Sequence, residues 1–190
     1  MISNEIKKTE TSVTTDIRLL SKMAVFVALC CIAAYISIPL PFTVAMITAL
    51  TIVMNLAAFL FTPKQTFMIL LIYTLLGAAG LPVFTGGTAG VGKIMGPTGG
   101  FIISFLAAYP LVSLLKGKEV SFLRYFLVAI IVGMPITYIG GLLSMMLVAH
   151  IPVEAGLMAA VFPFIPGDIL KAALAAYLAV KLQKVTKGSF

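Results

Sequence analysis

Apolar residues fall into six long runs, roughly 19 to 38, 44 to 61, 65 to 81, 98 to 115, 122 to 149 and 163 to 182. Crossing about 30 Å of hydrocarbon at 1.5 Å per residue takes roughly 20 helical residues, so each run is long enough, or nearly so, to span a bilayer. The pattern predicts an all-α integral membrane protein with six transmembrane helices. Polar or flexible breaks separate the runs: Pro39-Leu40-Pro41, Thr62-Pro63-Lys64, a Gly-rich segment from Gly80 to Gly100, Lys116-Gly117-Lys118-Glu119, and His150 to Pro163. Proline and glycine punctuate each of them. The fifth run exceeds one perpendicular crossing and carries Gly133, Pro135, Gly140 and Gly141. It is expected to tilt or kink rather than to divide into two pieces.

Composition agrees with this pattern. Of 190 residues, 61% are hydrophobic and 10% charged, against roughly 45–50% and 25% in soluble domains. The expected organisation is a tail over 1–17, a six-helix membrane unit over 18–184 with a glycine-rich outer loop at 80–100, and a second tail over 185–190. Neither tail is long enough to fold alone, which excludes ATP hydrolysis or nucleic-acid chemistry in a soluble module of this chain. Any energy must come from a gradient or a partner. The net charge of +7 arises from basic residues scattered at the ends of apolar runs, so they read as topology signals and not as a surface for nucleic acid. With six spans, 11 of the 13 basic residues share one side: Lys7, Lys8, Arg18, Lys22, Lys64, Lys116, Lys118, Arg124, Lys181, Lys184 and Lys187. The positive-inside bias puts both termini in the cytoplasm of a multi-pass, bacterial-type cell membrane protein. The first run has no signal-peptide pattern and is expected to be retained as a span. Cys30 and Cys31 are adjacent, a poor geometry for a disulfide and too few ligands for a metal.

Lys93 and Lys171 are the two basic exceptions, and among the acids Glu154 and Asp168 remain on the outer side. Asp168 and Lys171 are three residues apart and share a helix face, just after Pro166-Gly167, which suits a helix start. One reading is an interfacial ion pair in which Asp168 complements the helix dipole. A lysine there opposes the dipole, which favours a ligand site instead. First-turn N–H groups, a carboxylate and an ammonium suit a small molecule carrying N–H donors and a carbonyl or carboxylate. Seven glycines lie between Gly86 and Gly100. Gly87 to Lys93 mimics a phosphate loop, but Ile94 stands where the magnesium-binding hydroxyl belongs and no strand pattern precedes it, so the match is rejected. The glycines read as backbone that approaches or hinges over a ligand, with Leu81, Val83 and Phe84 as pocket wall or lid. Ala24 and Ala28 in the first run, and Ala172, Ala175, Ala176 and Ala179 in the last, set small residues one turn apart. Such stripes permit close helix packing: inside the chain for the last helix, with an external partner competing for the first.

Three segments in order carry a family resemblance: Gly80-Leu81-Pro82-Val83-Phe84 with the glycine cluster, Gly96-Pro97-Thr98-Gly99-Gly100-Phe101, and Pro163-Phe164-Ile165-Pro166-Gly167-Asp168 with Lys171. Together they resemble the BioY family, the biotin-binding S components of energy-coupling-factor (ECF) transporters. The resemblance covers nearly the whole membrane region. It implies an S-component-like six-helix fold that captures biotin from outside, powered by a transmembrane T protein and two cytoplasmic ATPases. It also implies that Asp168 and Lys171 belong to the biotin site and that the loop carrying Phe84, Gly86 and Gly87 closes over it. Asp168 would accept from a ureido N–H, while Lys171 donates either to the ureido oxygen or to the carboxylate. Lys93, at a position the family motif leaves variable, could meet the carboxylate at the mouth. Ala24 and Ala28 match the stripe with which the family meets the T protein. The chain departs from the family pattern at Ala89-Gly90, where a second glycine doublet is common, and at Phe101, where tyrosine is common.

No cofactor, catalytic group or metal is expected, biotin being the transported ligand. An intramembrane hydrolase lacks a candidate nucleophile and base, since His150 is the only histidine. A proton- or ion-coupled secondary transporter of a small carboxylate or vitamin, working alone, is the alternative, with Asp168 cycling a proton. Few polar groups lie deep in the spans, however, and no inverted repeat is evident.

Overall fold

The computed structural model describes the backbone of residues 2–185 and the side chains of residues 17–185. Most of the side chains of the expected N-terminal tail, and the C-terminal tail beyond 185, lie outside the described residues. The chain runs α1 (Ile2–Tyr35), β1 (Ser37–Pro39), β2 (Met46–Thr48), α2 (Leu50–Leu60), α3 (Pro63–Ala78), α4 (Val91–Ile94), α5 (Gly99–Leu115), α6 (Phe122–Val128), a π-helical turn (Ala129–Gly133), α7 (Met134–Ala149), α8 (Val153–Ala160) and α9 (Ile165–Val185). Each of the six apolar runs therefore contains a helix. Their lengths are unequal. By length and composition Ile17–Tyr35 and Phe122–Ala149 are long and apolar enough to cross a membrane, α8 and α9 pass the same test only when taken together across their 44° bend, and α2 and α5 are shorter apolar helices.

The second run differs most from expectation. Its first residues pair as an antiparallel hairpin, Ser37 with Thr48, Ile38 with Ile47 and Pro39 with Met46, and only 11 residues form α2. A continuous apolar run gives no periodicity to separate strand from buried helix. The short α2 is sunk in the core, with Met54, Ala57, Ala58 and Phe59 fully buried. It packs on α9, whose Ala172, Ala175, Ala176 and Ala179 are also buried. This is the internal packing expected of the last helix's alanine stripe. The fifth run stays one helical path, as expected, with the π-turn just before Pro135 absorbing the irregularity. Thr137 hydroxyl donates to the Gly133 and Met134 carbonyls there, at 3.1 and 2.8 Å.

The junction of α2 and α3 shows how backbone groups at helix ends find partners, some local and some distant. Thr62 and Gln65 form a capping box that opens α3, with Pro63 in its first turn. That start diverts the N–H groups α2 would have used to close its last turn, because Pro63 has none and those of Thr62 and Gln65 serve the cap. The orphaned carbonyls are met by side chains from elsewhere. Lys116 Nζ donates to Ala58, Phe59 and Phe61 at 2.9, 2.9 and 2.5 Å, Ser113 to Phe61 at 2.6 Å, and Gln183 to Phe59 at 2.9 Å.

Candidate binding site

Away from that clamp, the hairpin, the loop after α3 and the site-side parts of α2, α5, α7 and α9 line a partly open cavity whose free space, counting the solvent at its mouth, is about 730 Å³. Its walls are mostly apolar. Val44, Ala45 and Met46 come from the hairpin, Leu50 from α2, Phe101, Ile102 and Phe105 from α5, and Phe164 from the turn before α9. Thr48, Thr51, Thr85, Thr98, Thr137 and Tyr138 also line it, and so do three charged residues: Lys93, Asp168 and Lys171. An apolar enclosure with a few placed polar groups is the usual form of a small-molecule site.

Helix α9 begins at Ile165, so Pro166, Gly167 and Asp168 occupy its first turn. Lys171 Nζ lies 2.8 Å from Asp168 Oδ1, and both side chains are 14% exposed. The other carboxylate oxygen, Oδ2, accepts from Tyr138 hydroxyl at 2.8 Å. Tyr138 stands 11 residues before the end of α7 at Ala149, roughly 16 Å of helix. Asp168 therefore meets α7 about three turns from that helix's C-terminal end, and α8 packs on α7 before α9 begins.

Lys93, on α4, makes no ion pair or hydrogen bond through its side chain with a described residue, and it lines the same cavity. Burial pulls its ammonium below the usual lysine range. A cation held half out of water is stabilised by any anionic group brought to it.

The other loop residues lie elsewhere than expected. Phe84 does not line the cavity. It is 1% exposed and packs on α3, edge-on to Tyr73 at 5.8 Å and so close to Gly77 that a methyl there would fall 2.2 Å from its ring. Gly86 and Gly87 do not line it either. Their φ values of +74° and +70° make the tight turn that lets Phe84 N–H bond Thr88 carbonyl at 3.0 Å. Residues with a Cβ are strained in that conformation. The loop is tethered at several points: Gly86 N–H to Ala34 carbonyl at 3.3 Å, Gly90 N–H to Gly77 carbonyl at 2.7 Å, Tyr73 hydroxyl to Val83 carbonyl at 3.0 Å, and Tyr35 hydroxyl to Pro82 carbonyl. The glycines thus serve the turn, and Thr85 beside them reaches the cavity.

Sequence reasoning missed the hairpin wall, the α5 aromatics and Tyr138. For Tyr138 a signal existed, since Thr137-Tyr138 is a polar pair in the middle of an apolar run. Ala24 and Ala28 lie far from this chemistry, exposed on the face of α1 opposite buried Phe26, Val27 and Cys30.

Comparison with known proteins gives a consistent result. The model of the BioY family matches residues 6–188. A probable biotin transporter BioY of Pyrococcus horikoshii is 37% identical over 166 residues, 86% of this chain and 94% of that protein. The probable biotin transporter BioY of Bacillus subtilis is 34% identical, over 84% of this chain and 87% of that one. The biotin transporter BioY of Thermotoga maritima is 32% identical, over 88% and 97%. Among solved structures, the crystal structure of the S-component for biotin from an ECF-type ABC transporter superposes with a TM-score of 0.83 at 25% identity, covering 90% of this chain and 93% of that one.

Proposed function

Given that the chain belongs to the BioY family, we propose that it captures biotin for uptake as the substrate-specific S component of an ECF-type transporter in a bacterial membrane. The observation that carries the reading is the meeting of Asp168, Lys171 and Lys93, the last without an ion-pair partner among the described residues, on one apolar-walled cavity. Two ammonium groups and one carboxylate leave one positive charge. Biotin supplies the matching parts: a cyclic urea with two N–H donors and one carbonyl, an apolar thioether ring, and a single carboxylate. In this assignment Asp168 accepts from a ureido N–H, Lys171 donates to the ureido oxygen, and Lys93 faces the carboxylate. Phe84, Gly86 and Gly87 contribute by shaping the loop that carries Thr85 and leads to α4.

Six membrane-crossing segments, formed by α1, α2, α3, α5, α6–α7 and α9, with both termini cytoplasmic, follow from the distribution of basic residues. A T protein and two ATPases would supply the energy. The exposed Ala24 and Ala28 are the surface assigned to the T protein, because small side chains there permit close helix approach. Similarity to a transporter family and to an ECF-type S-component supports this reading over a secondary transporter working alone and over an enzyme.

Biotin titration of purified variants tests the site. Asp168→Asn keeps a carbonyl acceptor but loses the charge, and Lys171→Met loses a donor. A charge-assisted hydrogen bond contributes about 1.5–3 kcal/mol, so each change is expected to weaken binding roughly 10- to 150-fold. Wild-type affinity in both folded variants would reduce the pair to a structural ion pair.

A further inference from the structure

Neither charge nor motif points to Tyr138, yet its hydroxyl is the group that joins Asp168 to another helix. Asp168 Oδ1 is bonded to Lys171, one turn along the same helix, and Oδ2 to Tyr138 on α7, both at 2.8 Å. The lysine moves with α9, so it does not by itself fix the carboxylate relative to the rest of the cavity. Rotation about Cβ–Cγ of an aspartate is broad. One bond on one oxygen leaves that rotation open, whereas bonds on both oxygens, from groups on two different helices, restrict it. An ionised carboxylate has about four lone-pair sites, so two taken by Tyr138 and Lys171 leave the remainder aimed in a set direction.

From this geometry we infer that Tyr138 is a positioning residue for ligand recognition: its hydroxyl holds the Asp168 carboxylate in the plane from which its free lone pairs meet the ligand's N–H donors. The inference rests on the reading of this cavity as the biotin site and adds a residue to it. Tyr138 itself lines the cavity, so a direct contact with ligand must be separated from an action through Asp168. Because α9 packs mainly on α2 and α6, loss of this one bond should leave the bundle intact while freeing the carboxylate.

A double-mutant cycle makes the distinction, with biotin affinity and thermal unfolding measured on the purified full chain for wild type, Tyr138→Phe, Asp168→Ala and the double variant. Phenylalanine keeps the ring and removes only the hydroxyl. The expected result is roughly tenfold weaker binding for Tyr138→Phe in the wild-type background, in line with one charge-assisted hydrogen bond. No further loss is expected in the Asp168→Ala background, and the melting temperature should stay close to wild type. An equal loss in both backgrounds means that Tyr138 touches ligand or merely supports the fold, and overturns the inference, as does unchanged affinity in Tyr138→Phe. Wild-type affinity in Asp168→Ala would sink the site assignment itself, and the inference with it.

Discussion

Lys116 shows how one residue can be topologically ordinary and structurally specific at once. It counts as one more basic residue in a polar turn, but its ammonium closes three carbonyls at the end of α2. Burial pulls its pKa down to about 8 from the ordinary 10.5. The unfolded chain keeps that proton up to about pH 10.5, so between 8 and 10.5 it binds more protons than the folded state, and stability contributed here rises with pH. Below 8 both states are protonated and the burial penalty is fully felt. Lys116→Met should cost about 1–3 kcal/mol, the cost of unsatisfied buried acceptors. In thermal melts its gap to wild type should widen as pH rises from 8 to 10.5. A gap independent of pH would mean that the three carbonyls hold the ammonium as well as water does.

At the scale of elements, the cavity depends on how closely α5 and α7 approach. A Cβ at Gly100 would lie 1.9 Å from Gly140 carbonyl oxygen and 2.5 Å from Ser144 Cβ, so backbone rather than a flexible side chain would have to give way. Ser144 hydroxyl also bonds the Gly96 and Pro97 carbonyls, at 3.0 and 2.8 Å, locking this seam to the loop before α5. Gly100→Val should therefore separate the helices, lower stability by about 1–3 kcal/mol or more as overpacking does, and weaken biotin binding because Phe101, Phe105 and Tyr138 sit on the displaced walls. Gly92→Ala is the control: nothing lies within 4 Å of its added methyl, and both quantities should match wild type. Small residues at 100, 140 and 144 are visible in the sequence, but the pairing of the two stretches that carry them is not.

For the whole molecule the test is separation of capture from transport. The cavity takes Phe101, Ile102 and Phe105 from the first half of α5 while Lys116 follows its last residue, and Ala24 and Ala28 of α1 are exposed. Ala28→Trp should leave biotin binding by the isolated protein nearly unchanged, because that face is exposed. It should abolish ATP-driven uptake in cells supplying the partner proteins and lower their co-purification, since bulk blocks close approach. Loss of both binding and uptake, or of neither, would reject α1 as the docking face.

The linear sequence determined the membrane class, the six apolar segments, the break at Thr62-Pro63 and the shared helix face of Asp168 and Lys171, because each depends on composition or on spacing within one helix. It marked Lys93 as an exception to the charge pattern for the same reason. Tertiary structure alone decided that residues 44–48 form a hairpin wall instead of a helix turn, since an apolar run satisfies either conformation and only the partner strand at 37–39 selects one. It also decided that Phe84 anchors the loop on Gly77 rather than facing ligand, and that Tyr138 meets Asp168 across 30 residues of chain. These contacts join distant segments, and their geometry is set by helix packing, which no local pattern of residues records.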